Sequence, residues 1–344
     1  MIKEIRYKNF KALRDTTLPL GRFTLIVGAN GTGKTTAVKA LSQIEKINEE
    51  SFVNNLTKGL NETTDQIQIE VFWNDFSHRR TVFSKEIPVN HYIDKNQNIL
   101  GGTSGSFANS LDLTYKHKDE ADAVRRFRLF ALNTEKIVKP TNLKPNIELN
   151  SDGENLAGVL WQIQSSEPEV FEALNRELQH WFPDFDRIVF EIPEDGKVSF
   201  LFRTTYGKHK IKAEDLSDGT LLALAYLTLA YLPNPPKIVA FEEPEKGIHP
   251  RLLENIQEAM YRLAYPENYG EKREPVQVIA TTHSPYLLDL YKDFPEEIVI
   301  SSKDKKGVHF ERLIDKPHYE EVLLDAPLGE IWYSGILGGV PANL

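Results

Sequence analysis

Residues 28–35 read Gly28-Ala29-Asn30-Gly31-Thr32-Gly33-Lys34-Thr35, a complete G-x-x-x-x-G-K-[ST] loop. No other feature constrains the fold so tightly, because such a loop works only between a buried strand and a helix. Both flanks are present. Residues 23–27 (FTLIV) are a short β-branched, apolar run, the pattern of a strand covered on both faces, and Ala37, Val38, Ala40, Leu41 and Ile44 mark a helix. At average residue usage a chance match in a chain this long is on the order of one in a hundred. Glycines let backbone N–H groups converge on phosphate oxygens, and the helix N-terminus adds partial positive charge. The loop, with Thr36 completing it, is expected to hold a nucleoside triphosphate. Lys34 would reach the β- and γ-phosphates, and the Thr35 hydroxyl would ligate Mg2+.

A second constellation is acidic. Residues 237–245 read KIVAFEEPE, an apolar strand ending in Glu242 and Glu243 at the carboxyl edge of a sheet, where ligands bind. Alone, two solvated acids at a strand end would explain the pattern. On one sheet with the phosphate loop, Glu242 is expected to hold Mg2+, directly or through water, and Glu243 to polarise an attacking water. P-loop ATPases usually place Asp at the metal position, so Glu242, one methylene longer, is a departure.

Two further segments fit the same chemistry. Leu216-Ser217-Asp218-Gly219-Thr220 precedes an apolar helix that Ser217 or Asp218 can cap. A Ser hydroxyl, a Gly backbone and a helix N-terminus also suit a γ-phosphate. One subunit could not easily turn both this loop and its own phosphate loop onto one nucleotide. Phosphate sensing by Ser217, Asp218 and Gly219 therefore implies a head-to-tail dimer with the nucleotide between subunits. Residues 276–285 (VQVIATTHSP) end a strand at Thr282-His283, and His283 could hydrogen-bond the γ-phosphate and the attacking water. His249 starts a helix and fits either a functional role or the shaping of its turn.

Alternation of strands and helices predicts an α/β fold with a mostly parallel sheet covered by helices: helix 218–232, strand 237–242, helix 249–264, strand 276–281. Earlier, 67–73 and 79–87 read as strands, 94–119 as a Gly- and Ser-rich loop, and 154–165 and 168–182 as helices. Ile188, Phe190 and Ile192 alternate against Val198, Phe200 and Phe202 around a Pro193–Gly196 turn, a hairpin signal. With nucleotide motifs at both ends, 1–50 and 216–315 are expected to form the core of a single unit, and 51–215 an inserted lobe.

Composition narrows the chemistry. The 344 residues carry no Cys, which excludes thiolate nucleophiles and Cys-based metal centres and suits a reducing compartment. The net charge of −9 argues against a globally basic nucleic-acid binder. The amino terminus has no apolar signal core, and no uncharged apolar run reaches the ~18 residues of a membrane span, so a cytoplasmic chain without membrane partners is expected.

The order GANGTGKTT, LSDGT, AFEEPEKGIHP, TTHSPYLLD resembles the ABC-type ATPases of the SMC/RecF/OLD group, and more narrowly the stand-alone bacterial ATPases that lack coiled coils. IRYKNFKAL (5–13), DGENLAGVLWQI (152–163) and LGEIWYSGILGG (328–339) share in the resemblance, the last two without an evident chemical role. The resemblance implies a P-loop NTPase fold using ATP and Mg2+, with Lys34 and Thr35 in the loop roles, Glu242 on the metal, Glu243 as catalytic base, Ser217 and Gly219 as a signature acting in trans, and His283 as switch. Its Q-loop glutamine has four candidates, Gln66, Gln68, Gln162 and Gln164. The 61 residues after His283 are too few for an appended nuclease domain, so none is expected in this chain.

By the same resemblance, the expected function is an ATP-hydrolysing switch, slow without a partner, that closes as a homodimer and licenses a separately encoded effector, such as a nuclease, in DNA transactions or phage defence. The alternative is a RecF-like DNA-binding repair ATPase, for which Lys116, Lys118, Arg125, Arg126, Arg128, Lys136 and Lys139 offer a basic face. A transporter subunit fits less well, because LSDGT departs from the transporter signature.

Overall fold

The computed structural model describes residues 1–44, 66–74, 78–83, 89–93, 99–104, 124, 126–145, 147–192 and 196–339. In chain order the elements begin with β1 (Ile2–Phe10), β2 (Leu13–Pro19), β3 (Phe23–Val27), α1 (Lys34–Ile44), β4 (Ile67–Trp73), β5 (His78–Phe83), β6 (Val89–Ile93), β7 (Ile99–Ser104) and β8 (Phe127–Phe130). The middle holds α2 (Thr134–Ile137), β9 (Thr141–Asn142), α3 (Leu156–Ser166), α4 (Pro168–Trp181), β10 (Phe185–Glu191), β11 (Lys197–Thr204), β12 (Lys210–Lys212) and α5 (Asp218–Ala230). Then follow β13 (Ile238–Glu242), α6 (Leu253–Ala264), β14 (Gln277–Thr282), α7 (Pro285–Asp289), β15 (Ile298–Lys303), β16 (Val308–Arg312), α8 (Tyr319–Asp325) and α9 (Leu328–Tyr333).

Two compact units divide the chain. The first comprises Met1–Leu129, Pro236–Glu243 and Gln277–Leu344; the second comprises Phe130–Pro235 and Pro244–Val276. The segment 51–215 is thus shared between them, its strands from β4 to β7 belonging to the first unit.

The first unit contains two six-stranded sheets. One has the order β16-β15-β3-β14-β13-β8, with β15, β3, β14 and β13 mutually parallel and β16 antiparallel at one edge. Every residue of β3 and of β14 is buried, the signature of strands covered on both faces, including the polar Thr24, Gln277, Thr281 and Thr282. The second sheet, order β2-β1-β4-β5-β6-β7, is antiparallel throughout. Here the pattern has period two: Ile67, Ile69, Val71 and Trp73 of β4 face the core. The buried Gln277 amide joins the two sheets, accepting from Ile2 N at 2.8 Å and donating to the carbonyls of Ile2 at 2.6 Å and Gly21 at 2.8 Å.

Ile99–Ser104 corrects the loop expected over 94–119. It is an edge strand in which Gly101 and Gly102 pair opposite Tyr92 and His91 of β6. Glycine weakens strand propensity, and pairing to a neighbour overrides it. The remainder of that expected loop, 94–98 and 105–119, lies outside the described residues, as do 84–87 of the expected strand 79–87.

In the second unit β9, β10, β11 and β12 form an antiparallel sheet on which α3 and α4 pack. Ile188 opposes Phe202 and Phe190 opposes Phe200, as the alternation predicted; Ile192 lies past the end of β10, 47% exposed, and Pro193–Asp195 are outside the described residues. Helix α4 buries Phe171, Leu174, Leu178 and Trp181 on one face, and its Asn175 accepts from Ile188 N at 2.8 Å. Helix α5 is buried almost all round, whereas α6 buries the single face of Leu253, Ile256, Met260 and Leu263. The expected helix 249–264 opens as a 3-10 turn, Pro250–Leu252.

Candidate functional site

Three adjacent parallel strands of the first unit end together. Register pairs Val27 of β3 with Thr282 of β14, and Thr281 of β14 with Glu242 of β13. Their carboxyl ends therefore deliver the phosphate loop, His283 and the Glu242–Glu243 pair to one sheet edge, next to the first turn of α1.

The loop is held from below by its own unit. A Cβ on Gly28 would stand 2.4 Å from the Ser301 carbonyl oxygen, so only glycine fits there. Ser301 Oγ donates to Thr32 O at 2.7 Å, and Ala29 N donates to Gly339 O at 2.6 Å. Gly33 has φ +88° and faces Val308 and Leu13, so both its backbone and its surroundings exclude a side chain. Lys34, only 6% exposed, curls back on the loop: Nζ donates to Gly28 O at 2.5 Å and Ala29 O at 3.0 Å. Its ammonium is thereby fixed inside the curve of the loop. Gly31 and Thr35 are exposed on the other side.

Glu242 ends β13 with its side chain 20% exposed. Lys39 Nζ lies 3.1 Å from its Oε1 and donates to its Oε2 at 3.3 Å. Oε1 is nevertheless a buried acceptor without a well-directed donor, since the lysine approaches it in distance but not in angle. Glu243 leaves the strand with φ +49°, a left-handed conformation that is costly for a residue with a Cβ, and its N–H donates to Thr281 O at 2.9 Å. That twist turns Glu243 away from the pleat of β13 and toward β14. His283 Nδ1 lies 3.0 Å from Glu243 Oε1. The histidine is aimed by its own turn: Ser284 N donates to Thr282 Oγ1 at 2.9 Å, and Ser284 Oγ caps α7 by accepting from Leu287 N at 3.3 Å, with Pro285 as first helical residue.

The donor set suits Mg2+. A hard cation takes oxygen ligands and usually one or two carboxylates, with substrate phosphates supplying the rest. The buried, undirected Oε1 of Glu242 and the exposed Thr35 hydroxyl are of that kind, and among the described residues no cluster of three or more His, Cys, Asp or Glu is assembled as an all-protein cage.

Ser217, Asp218 and Gly219 belong to the second unit. Ser217 is the N-cap of α5: its Oγ accepts from Thr220 N at 3.2 Å and lies 2.8 Å from Thr220 Oγ1. Both Ser217 and Asp218 are exposed, and a Cβ on Gly219 would approach the Gly247 carbonyl to 3.1 Å. His249 Nδ1 accepts from Arg251 N at 3.2 Å, which caps the 3-10 turn and accounts for this histidine structurally. Of the glutamine candidates, Gln162 Oε1 accepts from Ile147 N at 2.7 Å and Gln68 is an exposed-face residue of β4 bonded to Gln66.

Against this geometry, residues 23–289 match the family profile described as "AAA domain, putative AbiEii toxin, Type IV TA system". The chain belongs to this family. The family agrees with the resemblance drawn from the motifs, a P-loop ATPase of the ABC type in the SMC/RecF/OLD group. An OLD nuclease of Thermus scotoductus is 50% identical over 44 residues, a match spanning 13% of this chain and 8% of that relative's length. A solved structure of the recombination mediator protein RecF-ATPrS in the RecFOR pathway aligns over 90% of this chain and 98% of its own, with TM-score 0.43 and 10% identity. Among the described residues no helix is long and apolar enough to cross a membrane.

Lys39 is the site residue that sequence reasoning missed. It stands one helical turn after Thr35, on the same face of α1, and that i, i+4 spacing was the available signal.

Proposed function

We propose that this protein is an ATP-driven molecular switch, hydrolysing ATP at the sheet edge of its first unit. The observation that supports the reading is the shared register of β3, β14 and β13, whose carboxyl ends bring the phosphate loop, His283 and Glu243 to one sheet edge. Loop N–H groups and Lys34 bind the triphosphate, the ammonium exchanging loop carbonyls for phosphate oxygens. Thr35 and Glu242 hold Mg2+, which neutralises phosphate charge. Glu243 accepts a proton from the attacking water, and His283, beside its carboxylate, orients that water against the γ-phosphate.

The exposed cap Ser217-Asp218-Gly219 completes the site of a second copy, in a head-to-tail homodimer closed by ATP. An exposed, capped helix N-terminus suits an anion supplied from outside its own unit. The closed dimer regulates a separately encoded effector, with slow turnover until that effector binds, in the cytoplasm and in DNA transactions or defence against phage. The family description, which names a toxin of a toxin–antitoxin system, supports the defence setting. For the RecF-like alternative, Lys116, Lys118 and Arg125 lie outside the described residues, while Lys136 pairs with Asp152 at 2.7 Å and Lys139 with Glu154 at 3.5 Å.

The test is nucleotide trapping. Glu243→Gln, incubated with radiolabelled ATP and Mg2+ and passed through a desalting column, should retain uncleaved ATP, while wild type retains ADP or nothing. A variant that still releases phosphate at the wild-type rate would remove Glu243 from the role of base.

A further inference from the structure

The Glu242 carboxylate already has a cation. Lys39 Nζ lies 3.1 Å from Oε1 and donates to Oε2 at 3.3 Å, so its ammonium is close to both oxygens but bonded to one. Lys39 and Thr35 sit on one face of α1, so the lysine enters from the same side as the hydroxyl assigned to the metal. The Lys39 side chain is 43% exposed, on a long flexible stem that can leave without disturbing the helix, whereas Glu242 is only 20% exposed and its Oε1 is buried. Glu243 follows directly in sequence, so without a counter-charge the strand end would gather two carboxylates in a half-buried place.

We propose that Lys39 is a resident counter-cation of the metal position. Resting on the ATPase reading above, the inference is that binding of a divalent cation and release of Glu242 from Lys39 are one exchange. Lys39 is a positioning residue: it supplies a counter-charge to the Glu242 carboxylate and weakens the site for metal, so that metal binds firmly only when triphosphate oxygens complete the shell. A single charge close to a doubly charged ion opposes it enough to change affinity on the order of tenfold, even with water-like screening.

The experiment titrates Mn2+ into full-length protein saturated with a non-hydrolysable ATP analogue, reading free Mn2+ by electron paramagnetic resonance. Nucleotide affinity is measured separately in EDTA. Lys39→Met, which keeps the stem and loses the charge, should bind Mn2+ about tenfold tighter, with nucleotide affinity in EDTA within a few-fold of wild type. Lys39→Arg should restore an affinity near that of wild type, which a merely structural lysine would not require. In a Glu242→Gln background the effect of Lys39→Met should vanish. Equal or weaker Mn2+ binding by Lys39→Met, with nucleotide still bound, overturns the counter-cation role and leaves the ATPase reading standing. Loss of nucleotide binding by wild type in EDTA and in Mn2+ alike overturns both.

Discussion

The Nδ1 of His283 lies 3.0 Å from Oε1 of Glu243, two side chains delivered by adjacent parallel strands, one of them from a left-handed backbone. In the proposed mechanism Glu243 and His283 act on the same water, so the two should behave as a unit in kinetics. Glu243→Gln should lower kcat by roughly 10²–10⁴-fold and His283→Ala by a smaller factor, with nucleotide affinity kept. The double variant should be no slower than Glu243→Gln alone. Single-turnover phosphate release measures all three; additive losses would mean the pair acts separately.

The φ of +49° at Glu243 predicts a trade of stability for function. Glycine adopts this conformation without the Cβ penalty, so Glu243→Gly should be more stable than Glu243→Ala by about 1 kcal/mol, and both should be inactive. Urea unfolding of the two variants makes the comparison, and Glu243→Ala as the more stable of the two would contradict the strain.

Gly28 tests the bracing of the loop. Its hypothetical Cβ meets backbone, the Ser301 carbonyl oxygen at 2.4 Å, and backbone cannot swing aside as a side chain can. Gly28→Ala should weaken ATP binding at least tenfold while costing roughly 1–3 kcal/mol of stability. Isothermal titration together with thermal melting separates the two effects.

In the second unit Arg203 forks onto Asp186 at 2.8 and 2.9 Å and Lys208 adds a further contact, which together hold the carboxyl down at about 2 from its ordinary 3.8. The depressed value means that the stabilisation is complete above pH 4 and is lost as pH falls from about 4 to about 2. Asp186→Asn should cost about 1 kcal/mol at neutral pH and flatten the acid limb in that window, as read by urea midpoints at successive pH values.

Much of the nucleotide unit was legible in the sequence, because its strands are short, apolar and bounded by loops of unmistakable chemistry. Strand β3, helix α1 and the acidic end of β13 all stand where residues 23–44 and 237–243 place them. The antiparallel sheet was only half visible, since Gly101 and Gly102 conceal an edge strand. Beyond its spacing from Thr35, nothing in the sequence around Lys39 marks it, because its partner is a carboxylate 203 positions away. The DGENLAGVLWQI stretch proves to be a fastener: Asp152 holds Lys136, while Asn155 ties Asn150 N and Glu148 O at 2.8 and 2.6 Å. LGEIWYSGILGG works instead through its backbone, with Gly339 O taking the Ala29 N–H of the phosphate loop and Gly329 lying too close to the Pro285 carbonyl for any Cβ. Contacts made by main chain over such separations leave no pattern in side-chain chemistry.

In the proposed mechanism ATP closes two copies of this chain around the sites built on β3, β14 and β13. Light scattering after gel filtration, with Glu243→Gln in ATP and Mg2+, tests it most directly. This variant should be a monomer without nucleotide, a dimer with ATP, and a monomer again when Ser217→Arg is added to the same chain. An assembly state that ignores ATP, in a variant shown to hold it, would contradict closure by nucleotide.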